Sequence, residues 1–339
     1  MKIKSLLIRL LKLTLISVTL VFLLIFGYFE YEGIPIYDLK VASKFILGKT
    51  NYQNYEGLVK KLGYSKNDKL LIIHADDIGL SNSVNKASFE ALKNGYVNSG
   101  SIMMPCDYIS DVGEFAIENP DIDFGLHLTV TSEWRDYKWN GVLQPNDTPS
   151  LINKKGELFK NIKKFVLNAE PLELKRELQA QIDLSKSIGI KPTHIDSHEG
   201  ALFYDEDLFK VYLEIGEENK LPVFVPKLVA VHFDENFPKP ENVVVIENFY
   251  MARKGIEFDE WESFYLDILN KLNPGLSQLI VHLGYDNDEM KSISVDHPNF
   301  GSKWRNLDYD IVSSNSFQEA LKRNNIQLVT WKEIQNIIY

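Results

Sequence analysis

From Leu70 onward the chain alternates short apolar runs with amphipathic segments, and this alternation restricts its fold more than any other feature. The runs Leu70–Ala75, Val97–Met103, Asp123–Val130, Pro192–Ile195, Pro222–Val225, Val243–Ile246, Gln278–Leu283 and Ile326–Thr330 are rich in aliphatic and β-branched residues, which predicts buried strands. Helical periodicity lies between several of them, at Val84–Lys93, Leu172–Ser187, Asp207–Glu218, Asp259–Leu272 and Phe317–Arg323. Pro171 and Gly189 punctuate the second of these helices as helix starts and stops require. About eight strands alternating with helices predict an α/β protein with a parallel sheet, and a (β/α) barrel is the first candidate at this size. An open doubly wound sheet is the alternative. No G-x-G-x-x-G follows the first strand and no Walker A sequence is present, so neither phosphate-loop signature supports a nucleotide site.

Charge is unevenly spread. The chain carries −10 overall, but Lys2, Lys4, Arg9 and Lys12 precede the first acidic residue, Glu30, which leaves the remainder at −14. That balance argues against nucleic acid as a partner, since a phosphate backbone selects basic surfaces. The single cysteine, Cys106, excludes an internal disulfide and has no activating neighbour. Leu13 to Phe29 is a 17-residue run without charge, extended upstream by leucines and isoleucine and flanked by the basic residues. It reads as one N-terminal transmembrane helix over residues 1–30, cytoplasmic at its N-terminus, which would tether the rest of the chain outside the cytoplasm. The bulky Tyr28, Phe29 and Tyr31 disfavour signal-peptide cleavage there. Residues 31–69 read as a stalk or lead-in and residues 70–339 as the barrel domain.

The titratable residues sit where apolar strands end. In a barrel the carboxyl ends of the strands carry the active site, so polar residues at those positions suggest chemistry. The first strand ends His74-Ala75-Asp76-Asp77. Adjacent carboxylates behind Leu-Leu-Ile-Ile either face a compensating metal or cap the turn that Gly79, Ser81 and Asn82 imply. In the third strand alternation puts Gly125, His127 and Thr129 on one face, with room beside the histidine for a ligand; a hydrogen-bonded core histidine is the alternative. In the fourth, His194, Asp196 and His198 share one face if the segment stays extended, as metal ligands or as a catalytic network. His282 closes the seventh strand. A carboxylate with two histidines leaves coordination positions open on a divalent metal, which can polarise a carbonyl and acidify bound water. A second carboxylate can then serve as base and a histidine as acid, a combination suited to metal-assisted hydrolysis. A Ser-His-Asp reading lacks the G-x-S-x-G turn.

Three ordered segments, Leu71-Ile72-Ile73-His74-Ala75-Asp76-Asp77-Ile78-Gly79-Leu80-Ser81, Gly125-Leu126-His127-Leu128-Thr129 and Lys191-Pro192-Thr193-His194-Ile195-Asp196-Ser197-His198, resemble the YdjC-like carbohydrate deacetylases. The resemblance runs from about Leu70 to Asp310. It implies a deformed (β/α) barrel and removal of acetyl groups from an N-acetylated sugar. It further implies one divalent ion on Asp77, His127 and His198, with Asp76 as general base and His282 as the acid. Trp304-Arg305 and Asp308 resemble the family's late Arg-x-x-Glu segment. The chain departs from the pattern at His74, where asparagine is usual, at Glu199-Gly200, at Leu283, at Asp308, and at Val225-Pro226-Lys227, where an arginine is common. Two histidines and one aspartate suit zinc by softness, and the family's breadth keeps magnesium open.

The expected protein is thus a membrane-anchored, metal-dependent deacetylase of an N-acetylated glycan or glycolipid. His74, His194, Asp196, Trp134 and Arg305 are expected around the metal set or against substrate. Trp134, Tyr137 and Trp139 follow the third strand as either a sugar-stacking loop or a hydrophobic loop anchor. Another metal hydrolase, such as a phosphoesterase or amidohydrolase, would want a basic clamp or more ligands, and a non-catalytic glycan binder would not need Asp76.

Overall fold

The computed structural model describes residues 12–21, 23–24, 57–233, 237 and 240–339. The chain divides into two units, Met1–Lys49 and Thr50–Tyr339. In the second, β1 (Lys69–Ile78) is the central strand, and every residue from Leu70 to Ile78 is buried. Its Leu-Leu-Ile-Ile run therefore needs cover on both faces, which a parallel sheet wrapped by helices supplies. The neighbours follow in chain order: β2 (Ser99–Ile102), β3 (Phe124–Leu128), β4 (Ile195–Ser197), β5 (Val223–Pro226) and β6 (Val243–Ile246). On the other side of β1 lie β8 (Gly275–Val281) and then β7 (Asn248–Met251). All pairs are parallel.

The barrel closes in an unusual way. Only Glu247 separates β6 from β7, so one extended segment pairs with β5 through Val243–Ile246 and with β8 through Asn248–Met251. That bend joins the two ends of the sheet without a β6–β7 pair. A ninth strand, β9 (Ile326–Leu328), pairs with the first residues of β1, Lys69–Leu71, where β2 has not yet begun. The expected parallel (β/α) barrel is therefore present and deformed. The sequence reading missed β7, Asn-Phe-Tyr-Met, which is only half-buried and follows β6 after a single residue.

Helices cross between the strands: α1 (Asn82–Lys93), α2 (Ile109–Glu118), α3 (Pro171–Ser187), α4 (Glu206–Glu218), α5 (Trp261–Lys271), α6 (Ser302–Ser313), α7 (Asn315–Arg323) and α8 (Trp331–Ile338). Short polar side chains start several of them. Ser81 accepts from Val84 N at the head of α1, and Asp205 accepts from Asp207 N and Leu208 N at α4. Thr330 and Glu333 form a capping box at α8, the S/T-x-x-E pattern that marks a helix start in sequence. Pro171 opens α3, and Gly189, with φ of 90°, follows its end.

The N-terminal expectation is corrected. Among the described residues no helix is long and apolar enough to cross a membrane. Helix is described over residues 12–21 and 23–24. The transmembrane helix over 1–30, the membrane as partner and the placement of the barrel outside the cytoplasm lose their support with it. The remainder of 1–30 and the proposed stalk up to residue 56 lie outside the described residues.

Candidate active site

The carboxyl ends of β1, β3 and β4 meet in one buried pocket. β1 enters it through an irregularity: Ala75 pairs with Gly100 but Ile78 with Ile102, so Asp76-Asp77 carries one residue too many for its neighbour. Such a bulge re-aims side chains. Asp77 has φ of 64°, in the left-handed region that aspartate tolerates better than most residues. A regular strand would send residues 76 and 77 to opposite faces, whereas here both carboxylates approach His127.

Asp77 Oδ1 is the focus. It is buried and has no hydrogen-bond partner. His127 Nε2 and His198 Nδ1 each lie 3.5 Å from it. That spacing is long for a hydrogen bond, but two ligand atoms about 2.1 Å from a zinc ion at tetrahedral angles lie about 3.4 Å apart. The far nitrogen of each imidazole is held by a carboxylate. His127 Nδ1 donates to Asp196 Oδ1 at 2.6 Å, and His198 Nε2 donates to Glu133 Oε2 at 3.1 Å. This fixes the tautomers and turns the other nitrogens toward Asp77, the arrangement typical of metal-ligating histidine. Asp77, His127 and His198 therefore fit a divalent ion.

Electrostatics agree. Asp76, Asp77 and Asp196 are all buried, and buried carboxylates require compensation. Arg305, on α6, supplies part of it through a 2.6 Å bond from its Nη2 to Asp77 Oδ2. Burial would raise the Asp77 carboxyl, but Arg305, His198 and His282 hold it well below the usual range. Burial would likewise lower His127 and His198. The Asp196 and Asp76 charges overcome it at His127, and the Glu133 charge and Asp77 overcome it at His198, so both are raised. A dication entering the pocket displaces the protons that these carboxylates favour on His127 and His198.

The remaining residues surround this set. Asp76 Oδ1 accepts from Ser101 Oγ at 3.2 Å and lies 3.2 Å from His74 Nε2. His74 Nε2 also donates to Asp196 Oδ2 at 3.1 Å. His282 lies just beyond β8, and its backbone N–H donates to Asp308 Oδ2 at 2.9 Å. Asp308 also accepts from Trp261 Nε1 and Tyr265 Oη, so the late segment serves both the Asp77 and His282 sides of the pocket. Burial, with Arg305 adding to it and Asp77 and Asp76 opposing, pushes the His282 imidazole down to about 4.

His194 does not join the Asp77 set. His194 and Asp196 both meet His74, while His198, at the end of β4 just before the turn in which Glu199 has φ of 52°, is the one that reaches Asp77. His194 lies inside the barrel instead, stacked on Trp331 at 4.7 Å and edge-on to His74 at 5.1 Å. His74, His194 and Asp196 form an equally close group, but His74 and Asp196 are engaged with each other. The space beside Gly125 is filled by this ring: a Cβ there would collide with the His194 imidazole. Gly125→Ala is expected to cost about 1–3 kcal/mol through overpacking, measured as a lower Tm; an unchanged Tm would show that His194 shifts freely.

Trp134 and Trp139 are 2% and 3% exposed. His297 lies parallel to Trp134 at 5.4 Å, and Trp139 donates to Thr131 O. Their burial matches a loop anchor. The neighbouring Glu133 is the partner that sequence reasoning missed, because nothing in the Ser132-Glu133-Trp134 segment points to His198 across 65 positions. Glu133→Gln is expected to weaken metal binding roughly 10- to 100-fold, measured by titration calorimetry; an unchanged affinity would remove Glu133 from the site's support.

Three comparisons with known proteins bear on this pocket. A family model described as "YdjC-like protein" matches residues 70–323. A carbohydrate deacetylase of Thermus thermophilus is 28% identical over 83% of this chain and 99% of its own length. One of Thermoanaerobacter pseudethanolicus is 26% identical over 78% of this chain and 98% of its own. A crystal structure of a putative cellobiose-phosphate cleavage protein from Enterococcus faecalis superposes with a TM-score of 0.65 at 23% identity, covering 78% of this chain and 98% of that one, which shows a shared fold. The family match spans most of the barrel and includes every strand that delivers a residue to the pocket: the chain belongs to the YdjC-like family.

Proposed function

We propose that the chain is a metal-dependent hydrolase that removes acetyl groups from N-acetylated carbohydrates. The observation that carries this reading is the unpartnered Asp77 Oδ1, faced by His127 Nε2 and His198 Nδ1 with a second carboxylate, Asp76, beside it. Asp77, His127 and His198 would hold the ion, with zinc favoured by two nitrogen ligands and magnesium the alternative. When bound, a divalent ion polarises the acetyl carbonyl and lowers the pKa of water. Asp76 would accept the attacking water's proton, oriented by Ser101 and His74. His282 would protonate the departing sugar amine. Since His282 is neutral at rest, the proton it would give the amine is the one that Asp76 takes from the attacking water, relayed to His282 before the C–N bond breaks. Arg305 holds Asp77 in its ligating orientation, and Asp196 and Glu133 hold the two histidines.

The sugar comes from the relatives' names, and the amide chemistry from the pairing of a ligand set with a free base. A phosphoesterase on the same ligands would need a basic clamp, and Arg305 uses its Nη2 and Nε on Asp77 Oδ2 and Phe300 O. The test uses the full chain with zinc or magnesium, N-acetylglucosamine oligomers and a panel of phosphate esters. Acetate release with a matching free amine on the sugar is expected. Phosphate release without acetate would overturn the reading.

A further inference from the structure

Asp76 and Asp77 are adjacent, buried and chemically identical, yet their surroundings divide them. Asp77 Oδ1 has no donor. Asp76 Oδ1 has two neighbours, Ser101 Oγ and His74 Nε2, both at 3.2 Å. Asp76 Oδ2 lies 3.9 Å from His127 Nε2, a nitrogen proposed to face the ion. Asp76, His127 and Asp196 also offer atoms within 4.8 Å of one another. A carboxylate so placed competes for the metal unless something restrains it, and a base that ligates the ion is no longer free to take a proton.

His74 supplies the restraint. It is fully buried. Its Nδ1 meets Ser99 Oγ at 3.0 Å, and its Nε2 forks between Asp76 Oδ1 and Asp196 Oδ2 at 3.2 and 3.1 Å. Asp196 in turn holds His127 Nδ1. One imidazole thus ties the base to the partner of a metal ligand. His194, the other ring in this layer, cannot replace it, since it meets His74 only edge-on and its Nδ1 is engaged by Thr193. An asparagine side chain would be shorter, whereas the imidazole reaches both carboxylates from one ring nitrogen.

We propose, on the functional reading above, that His74 is the positioning residue that keeps Asp76 a base rather than a metal ligand, by holding its Oδ1 in the fork shared with Asp196. Burial alone would lower His74, but the hydrogen bonds to Asp196 and Asp76 lift it to about 9, so both ring nitrogens carry protons at neutral pH.

The test loads the full chain with cobalt(II), whose visible absorption weakens as coordination number rises, and compares wild type with His74→Leu, His74→Asn and the His74→Leu/Asp76→Asn double variant. His74→Leu should still bind one cobalt per chain. Its absorption should fall at least about twofold as Asp76 swings onto the ion, and kcat should drop about 10²-fold with KM nearly unchanged, the scale of a misplaced reacting group. In the double variant the absorption should return to the wild-type value, because the intruding carboxylate is gone. His74→Asn should fall between wild type and His74→Leu. An unchanged spectrum in His74→Leu, a change that persists in the double variant, or loss of cobalt from both single variants would overturn the proposal. The spectrum is read without substrate, so a chain that released no acetate would still decide the role of His74. A wild type that bound no cobalt would overturn the metal site itself.

Discussion

Asp76→Asn is expected to keep one metal per chain and to lose roughly 10²- to 10⁴-fold in kcat, the usual weight of a general base. The substitution is nearly isosteric. The amide oxygen it introduces can still accept from Ser101 Oγ and His74 Nε2, as Asp76 Oδ1 does, so the fork around this position survives. What is removed is the ability to accept a proton, together with the negative charge beside His74 and His127. Titration of zinc into the variant, set beside its rate of acetate release, separates the two effects. Near-wild-type turnover with metal bound would reassign the base, and loss of metal would make Asp76 a ligand.

His198→Ala is the complementary result: it is expected to lose the metal and, with it, all measurable turnover. His198 enters the pocket from the turn after β4 and lies 3.5 Å from Asp77 Oδ1, with Glu133 fixing its far side. Removing a ligand should weaken binding by more than the roughly 10- to 100-fold expected for an outer partner such as Glu133. The truncation also leaves Glu133 without its imidazole, but Glu133 is only half-buried, so the barrel should remain folded. Metal content after dialysis, with circular dichroism as the folding control, checks this. Full metal occupancy in His198→Ala would move the ligand set elsewhere, with Asp76, His127 and Asp196 the next group to test.

The carboxylates and His127 were legible in the sequence because they break a pattern. Asp76 and Asp77 follow four aliphatic residues in a strand buried along its length, and His127 interrupts Phe-Gly-Leu-His-Leu. Titratable groups in such places are costly unless they have work to do. The parallel barrel was legible for the same reason, since its strands are apolar on both faces. Side chains that arrive from loops and late helices were harder to read. Arg305 reaches Asp77 across 228 positions and Asp308 reaches His282 N from the next turn of the same helix, contacts that only the closed barrel creates. Strand alternation grouped His194, Asp196 and His198 but could not say which of them meets Asp77: His194 and Asp196 both meet His74, and His198 reaches Asp77. The apolar N-terminal run stands apart: among the described residues no helix is long and apolar enough to cross a membrane.

A divalent ion held by Asp77, His127 and His198 is central to the proposed deacetylation. Its most direct test is acetate release from N-acetylglucosamine oligomers by the full chain before chelation, after chelation, and after metal is restored. Activity should vanish when metal content falls to a small fraction of an ion per chain, and it should return in proportion to the zinc or magnesium bound. Undiminished acetate release from metal-free protein would contradict the account.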